Sequence, residues 1–291
     1  MDQLHQQPSP VVDLYPALPA AGGPRPISPT DISQFVRLDQ CQRYLRLRLH
    51  DRLAGEGFLR AYNVGPQAIS PLLTRSGAAF EQSVTKAMRA RYRVVECGGA
   101  HGAREPDNDR MVALARELAP GQVVVVVQPR LVVTVGDWRL RGDADIVRLE
   151  RDPNGDLRVL IVDAKSSVAA KIEHRLQVAF YDRMVAALFD SAGLPYAAIQ
   201  TGIVYRTGGE PAAVDAADLA RIAESRRLAG EMLGMPDGLL ELVDNPEDFR
   251  RAVSDLVTRP GSAAERIATT PFAELPYHLT FKCDGCLYNE F

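Results

Sequence analysis

The chain has 291 residues, 46% of them apolar and 24% charged, with a formal net charge of -3 and four cysteines. That length can bury a sizeable core in one large or two small domains, and the composition excludes a wholly disordered chain, a collagen-like repeat and a disulfide scaffold. No stretch approaches the roughly 18 apolar residues of a membrane span, and the N-terminus lacks a basic-then-apolar secretory signal, so a cytoplasmic protein with no membrane partner is expected.

Residues 1–26, rich in Pro, Gly and Gln and without a sustained period, read as a flexible tail. Ser28-Pro29-Thr30-Asp31 then offers N-cap chemistry for a helix carrying Phe35, Leu38, Cys41 and Leu45 on one apolar face. Further helices are predicted over about 76–90 and 107–118. The middle changes character: Val123–Val127 and Leu131–Val135 are β-branched runs, Trp138 to Glu150 alternates, and the turn residues 152–156 lead into a strand from Leu157 to Ala164. Helical spacing returns over about 171–190, and Ala197–Tyr205 is one more strand. From Asp215 the pattern is helical and irregular up to Cys283-Asp284-Gly285-Cys286. The order predicts an α/β fold, a mixed central β-sheet flanked by helices, with helical additions at both ends.

The most informative stretch is Arg141-Gly142-Asp143-Ala144-Asp145, followed by Asp163-Ala164-Lys165. Side chains alternate along a strand, so Asp143 and Asp145 share a face, as do Asp163 and Lys165. A hairpin symmetric about Asn154 places Asp145 opposite Asp163 and Asp143 opposite Lys165. Like charges opposite one another destabilise a sheet, and a hard cation with oxygen ligands is the natural compensation. Lys165, one of only four lysines in the chain, adds a fixed ammonium that could hold a water or stabilise charge on a phosphoryl group. An isolated Asp-x-Lys is more often a solvated strand end with a surface salt bridge. Gly77-x-x-x-Glu81 on the predicted second helix offers another carboxylate, and Gln177 and Tyr181, four apart, share a helix face that is otherwise an ordinary half-buried stripe.

Gly77-x-x-x-Glu81, Gly142-x-x-Asp145, Asp163-x-Lys165 and Gln177-x-x-x-Tyr181, in that order, resemble the PD-(D/E)XK nuclease superfamily. More narrowly they resemble its RecB-like branch, which includes CRISPR-associated exonucleases and nucleases fused to helicases. The resemblance runs from about Ile27 to Phe291 and implies a restriction-endonuclease-like core over 27–208, with 209–291 as a C-terminal region of the same domain. It implies a metal-dependent, exonuclease-like deoxyribonuclease acting on DNA, single-stranded by expectation, with a helicase module in cis or in trans as a partner. Asp145, Asp163 and Glu81 would hold Mg²⁺ or Mn²⁺ together with the Ala164 carbonyl. Glu81 stands where many relatives have a histidine. Lys165 would position water or stabilise the transition state, Gln177 and Tyr181 would orient the strand or the lysine, and Asp143 would be a neighbour partnering Arg139 or Lys165. A catalytically inactive DNA-binding or scaffolding module, and a hydrolase of RNA or a nucleotide, are the rival readings.

Cys283-x-x-Cys286 alone suits redox chemistry, half a zinc site or neither. With Cys41 upstream, it resembles the iron–sulfur staple of that branch, in which four thiolates hold a [4Fe-4S] cluster. The fourth cysteine is expected beyond Phe291, on a longer protein, with Cys97 as a substitute ligand or a buried structural thiol. Zinc, held by the three thiolates and His278, is the alternative. Charge is segregated: residues 36–60 hold six arginines against three acids, and 75–93 five basic residues against Glu81, whereas 209–257 hold eleven acids against five arginines. The overall balance therefore does not argue against a nucleic-acid partner.

Overall fold

The computed structural model describes residues 23–54, 71–98, 104–166, 169–206, 215–277 and 279–289. Residues 1–22 of the expected tail, and His278, lie outside the described residues. Strands β1 (Arg25–Ile27), β5 (Trp138–Asp143) and β4 (Arg130–Val135) form a small sheet in that order. A larger mixed sheet runs β2 (Arg93–Glu96), β3 (Val123–Val127), β6 (Ile146–Arg151), β7 (Leu157–Lys165), β8 (Ala198–Arg206) and β9 (Gly238–Leu242). β2 lies parallel to β3 and β7 parallel to β8, and the other neighbours are antiparallel. The helices are α1 (Pro29–Arg37), α2 (Gln42–Ala54), α3 (Pro71–Arg89), α4 (Asn108–Glu117), α5 (Ile172–Ser191), α6 (Ala216–Leu228), α7 (Pro246–Val253) and α8 (Ala263–Thr269).

A period of two partitions the large sheet. Val124 and Val126 enter one hydrophobic cluster and Val125 and Val127 the other, as do Val159 and Ile161 against Leu160 and Val162. The first face is covered by α5, whose Phe180, Met184, Val185 and Phe189 are fully buried; each such side chain contributes about 1.5–3 kcal/mol of burial free energy. The second face is covered by α3 through Phe80, Val84 and Met88, and by Ala229, Leu233 and Met235. α5 carries the parallel crossover from β7 to β8, and α4 that from β2 to β3.

Four expectations are revised. Arg25–Ile27, assigned to the tail, is a parallel strand against β5. The expected first helix is two: Asp39 and Gln40 adopt left-handed φ of 53° and 57°, which ends α1 and leaves Cys41 between the helices. The alternation from Trp138 to Glu150 is broken at Ala144–Asp145, where the chain leaves the small sheet for the large one. The stretch after Asp215 contributes strand β9, and its Gly202 pairing is so close that a Cβ there would lie 3.0 Å from Glu241 O.

The two ends of the chain are tied together by polar contacts. Arg46, completely buried, donates to the carbonyls of Ile267, Ala268 and Thr270 at 2.8, 2.7 and 2.9 Å, satisfying the open C-terminal end of α8. Arg43 donates to Leu275 O, Arg37 to Gly285 O, and Lys282 pairs with Asp39 at 2.6 Å. Tyr44 and Tyr288 stack at 5.8 Å between ring centroids. No described helix is long and apolar enough to cross a membrane.

Candidate active site

Strands β6 and β7 pair in the expected register, Ile146 opposite Val162 and Val147 opposite Ile161. The next step places Asp145 against Asp163, just beyond the last ladder pair. The two carboxyl groups are close enough to act on one another. Asp145 Oδ2 also accepts from the Ala164 N–H at 2.8 Å, so β7's backbone orients the carboxylate that ends the turn into β6. Asp163 lies on the face of β7 under α5 and is 1% exposed. Burial, then the neighbouring Asp145, pushes its carboxyl well above the usual carboxylate range against the pull of Lys165.

Lys165, one strand period on, sets its Nζ 2.9 Å from Asp163 Oδ1 and 2.8 Å from Oδ2. Only the first contact has hydrogen-bond direction, and Oδ2 is left buried without a donor. Burial disfavours the ammonium, but Asp163, Asp145 and Glu81 outweigh it and hold Lys165 charged above its ordinary range. His174, in the first turn of α5, feels that charge: burial and then Lys165 push it down to about 4.

Glu81 approaches from the opposite face on α3. Burial and then Asp145 raise its carboxyl, and Gln128 Nε2 donates to Glu81 Oε2 at 3.4 Å. Glu81, Gln128, Asp145 and Ala164 help line a cavity of ≈ 20 Å³, room for one water or one ion. The donors suit a hard divalent cation in kind, and the crowding of Glu81, Asp145 and Asp163 suits it in charge, with Asp163 Oδ2 lacking a directed hydrogen bond. Among the described residues, no three His, Cys, Asp or Glu side chains are grouped tightly enough to enclose a metal as they stand. A larger cavity of ≈ 540 Å³ lies between α5, β8 and α7 beside the Asp182–Arg250 ion pair, and none of the residues above lines it.

Gln177 and Tyr181 share the α5 face over this edge. Gln177 hydrogen-bonds the Tyr181 hydroxyl, which donates to Asp143 O at 2.7 Å and so fixes the chain two residues before Asp145. Gly142 has a steric reason: a Cβ there would lie 2.8 Å from Tyr181 Cε1 and 2.9 Å from Pro29 Cδ. Gly77 has none, since a Cβ there meets nothing within 4 Å.

Asp143 does not face Lys165 and does not partner Arg139. It ends β5 in the small sheet, where Arg130 Nε and Nη2 grip its two oxygens at 2.7 and 2.8 Å and hold its carboxyl low against burial. The expected register broke because the chain changes sheets between Asp143 and Asp145. Gln128 was not foreseen. Its backbone N–H donates to Asp145 O at 2.9 Å and its φ is +53°, and the only local signal was a polar residue before Pro129 between two apolar runs. Nor was His174.

Cys286 lies within electrostatic reach of Cys41 and Cys283: burial, and to a smaller extent those two, raise its thiol, although the three are not grouped tightly enough to hold a metal among the described residues. The Thr280 N–H donates to Cys283 Sγ and the Tyr288 N–H to Cys286 Sγ, each at 3.4 Å; the second bond favours the Cys286 thiolate but burial outweighs it. Cys97 is not among them. It is buried beside Asp107, with its carbonyl bound by Arg104. Three thiols do not make a four-thiolate cluster, so the described residues do not by themselves fit a [4Fe-4S] centre.

No family model matches the chain, and no curated protein matches it. A solved structure titled "Crystal structure of SSO0001" aligns over 92% of this chain and 85% of its own at 12% identity, with a TM-score of 0.35. That likeness is too low to carry an assignment.

Proposed function

We propose that the protein is a divalent-metal-dependent deoxyribonuclease of the RecB-like PD-(D/E)XK kind, hydrolysing single-stranded DNA. The observation that supports this best is the meeting of Asp145 and Asp163 at the end of the β6–β7 ladder, with the Lys165 ammonium on Asp163 and one Asp163 oxygen buried without a donor. A module that only binds phosphate gains nothing from clustered acids there.

Asp145, Asp163 and the Ala164 carbonyl would hold Mg²⁺ or Mn²⁺, with Glu81 as an outer carboxylate on the opposite side of the ≈ 20 Å³ cavity. The ion would supply an acidified water and neutralise charge on the phosphate. Lys165, fixed by Asp163, would hold the attacking water and face the developing charge on the phosphoryl oxygens. Tyr181 and Gln177 would act as positioning residues by holding the backbone at Asp143. The three thiols would bind iron or zinc and reinforce the contacts that join the chain's ends, with any fourth ligand supplied from elsewhere.

Labelled single-stranded DNA incubated with Mn²⁺ tests the reading. Wild type should degrade it and Lys165→Ala should lose at least a hundredfold in rate; equal rates would leave a DNA-binding module as the better account. Parallel incubations with RNA and with mononucleotides separate the other phosphoester substrates.

A further inference from the structure

Resting on the nuclease reading, a second feature concerns how a strand would reach the site. β5 buries Trp138 and Leu140 and turns Arg139 and Arg141 to solvent. Residues two apart on a strand are about 6.7 Å apart, comparable to successive phosphates on one extended nucleic-acid strand. Neither arginine makes an ion pair or hydrogen bond among the described residues, although the chain pairs most of its other arginines.

The neighbours of Arg141 are mostly basic, with Asp143 as the acid that opposes them. Arg52 at the end of α2 and Arg130 on β4 both lie within electrostatic reach of Arg141, as does Arg139. The one acid on this face of β5, Asp143, is already taken by Arg130 and lies 3.6 Å from Arg104. Across the ladders Arg141 faces Val132, and Arg139 faces Thr134 and Pro26. Like charges gathered this way oppose one another unless an anion enters. The row also has a direction, because β5 runs from Arg139 through Arg141 and Gly142 into Ala144–Asp145.

We propose that Arg139 and Arg141, on the exposed face of the small sheet, form a phosphate-binding track that leads a single DNA strand along β5 to the Asp145–Asp163 edge. Each arginine engages one backbone phosphate, so the contacts are independent of base sequence.

Anisotropy of labelled oligodeoxythymidylate in EDTA, across a series of NaCl concentrations, reads strand binding without cleavage. Each lost phosphate contact should reduce the slope of log Kobs against log salt by about 0.7 for a single strand. The double variant Arg139→Ala/Arg141→Ala should therefore lose about 1.4 in slope and bind weakly at every salt. Arg139→Gln/Arg141→Gln, which keeps most of the side-chain bulk, should show the same loss, whereas Arg221→Ala, which removes an exposed residue paired with Asp218, should not. Wild-type melting temperatures in both double variants establish that they fold. An unchanged slope in the two double variants, or no strand binding by wild type, overturns the track. Hydrolysis of bis(p-nitrophenyl) phosphate with Mn²⁺ by wild type, compared with Asp145→Asn, reports on the nuclease reading separately. Strand binding through the arginines without that hydrolysis would keep the track and sink the nuclease.

Discussion

The Ala164 N–H donates to Asp145 Oδ2 at 2.8 Å, so the middle residue of Asp163-Ala164-Lys165 orients the carboxylate of the other motif through its backbone. Any residue but proline can make that bond, which is why the middle position of Asp-x-Lys carries no side-chain signal. Asp145→Asn keeps an acceptor for the N–H but removes the charge that would hold a divalent ion. Loss of about 3 kcal/mol of transition-state stabilisation corresponds to a hundredfold or greater fall in Mn²⁺-dependent kcat/KM. The melting temperature in EDTA should not fall, because Asn also relieves the repulsion with Asp163.

Gln128 connects Glu81 to Asp145: its side chain reaches the first and its backbone N–H the carbonyl of the second. Gln128→Ala should weaken Mn²⁺ affinity about 10–100-fold, the range for a residue that orients a ligand without touching the ion. Titration of Mn²⁺ by calorimetry checks it; unchanged affinity would remove Glu81 from the proposed site.

Gly142 is needed because Tyr181 and Pro29 occupy the space of its missing side chain. Gly142→Ala should cost about 1–3 kcal/mol in urea unfolding, the range for overpacking a core contact. It should also push Tyr181 off Asp143 O, so kcat should fall along with stability. Tyr181→Phe separates the two effects. It removes the hydroxyl contact to Asp143 O without steric conflict and should lower stability by about 1 kcal/mol.

The legibility of this molecule in its sequence follows the range of the interactions. The β6–β7 register was readable because the turn at Asn154-Gly155 fixes it locally, and both faces of β7 are apolar up to Asp163. Asp143 was misplaced because nothing in its neighbours marks the change of sheet at Ala144; that depends on Arg130, thirteen residues upstream, taking the carboxylate. β9 was invisible because its strand character depends on pairing with β8 rather than on its own mixed composition. The thiol cluster was expected only from a resemblance, since Cys41 and Cys283 lie 242 positions apart in the sequence. What joins those segments in the described structure, Arg46 at the end of α8, carried no signal beyond an arginine among leucines.

Arg46→Met tests that junction. The substitution keeps apolar volume but leaves three carbonyls at the end of α8 without a donor, each a desolvated group costing about 1–3 kcal/mol. Partial hydration of the helix end offsets part of this, so a net loss of about 3 kcal/mol is expected in urea unfolding. Hydrogen exchange should show faster protection loss across Ala263–Thr269 than across β7. Uniform loss of protection would mean instead that Arg46 supports the whole fold.

Asp31 makes the junction of α1 with α2 sensitive to acid. It is 1% exposed, caps α1 with Ser28 and pairs with Arg48 at 2.7 Å and Arg52 at 3.0 Å. Burial raises its carboxyl, but Arg52 and Arg48 together outweigh that and hold it below the usual value of 3.8. A folded-state pKa below the unfolded one means the unfolded chain binds the proton more tightly, so folding is weakened as pH falls. The stabilisation is therefore complete above about pH 4 and is lost as pH drops through the folded value. Asp31→Asn should remove it at neutral pH as well, at a cost of about 2–4 kcal/mol, because two partly buried guanidiniums lose their partner. Thermal unfolding from pH 2.5 to 7 should show wild type losing stability at the acid end and Asp31→Asn starting lower with a shallower fall. Parallel curves would place the acid sensitivity in other carboxylates.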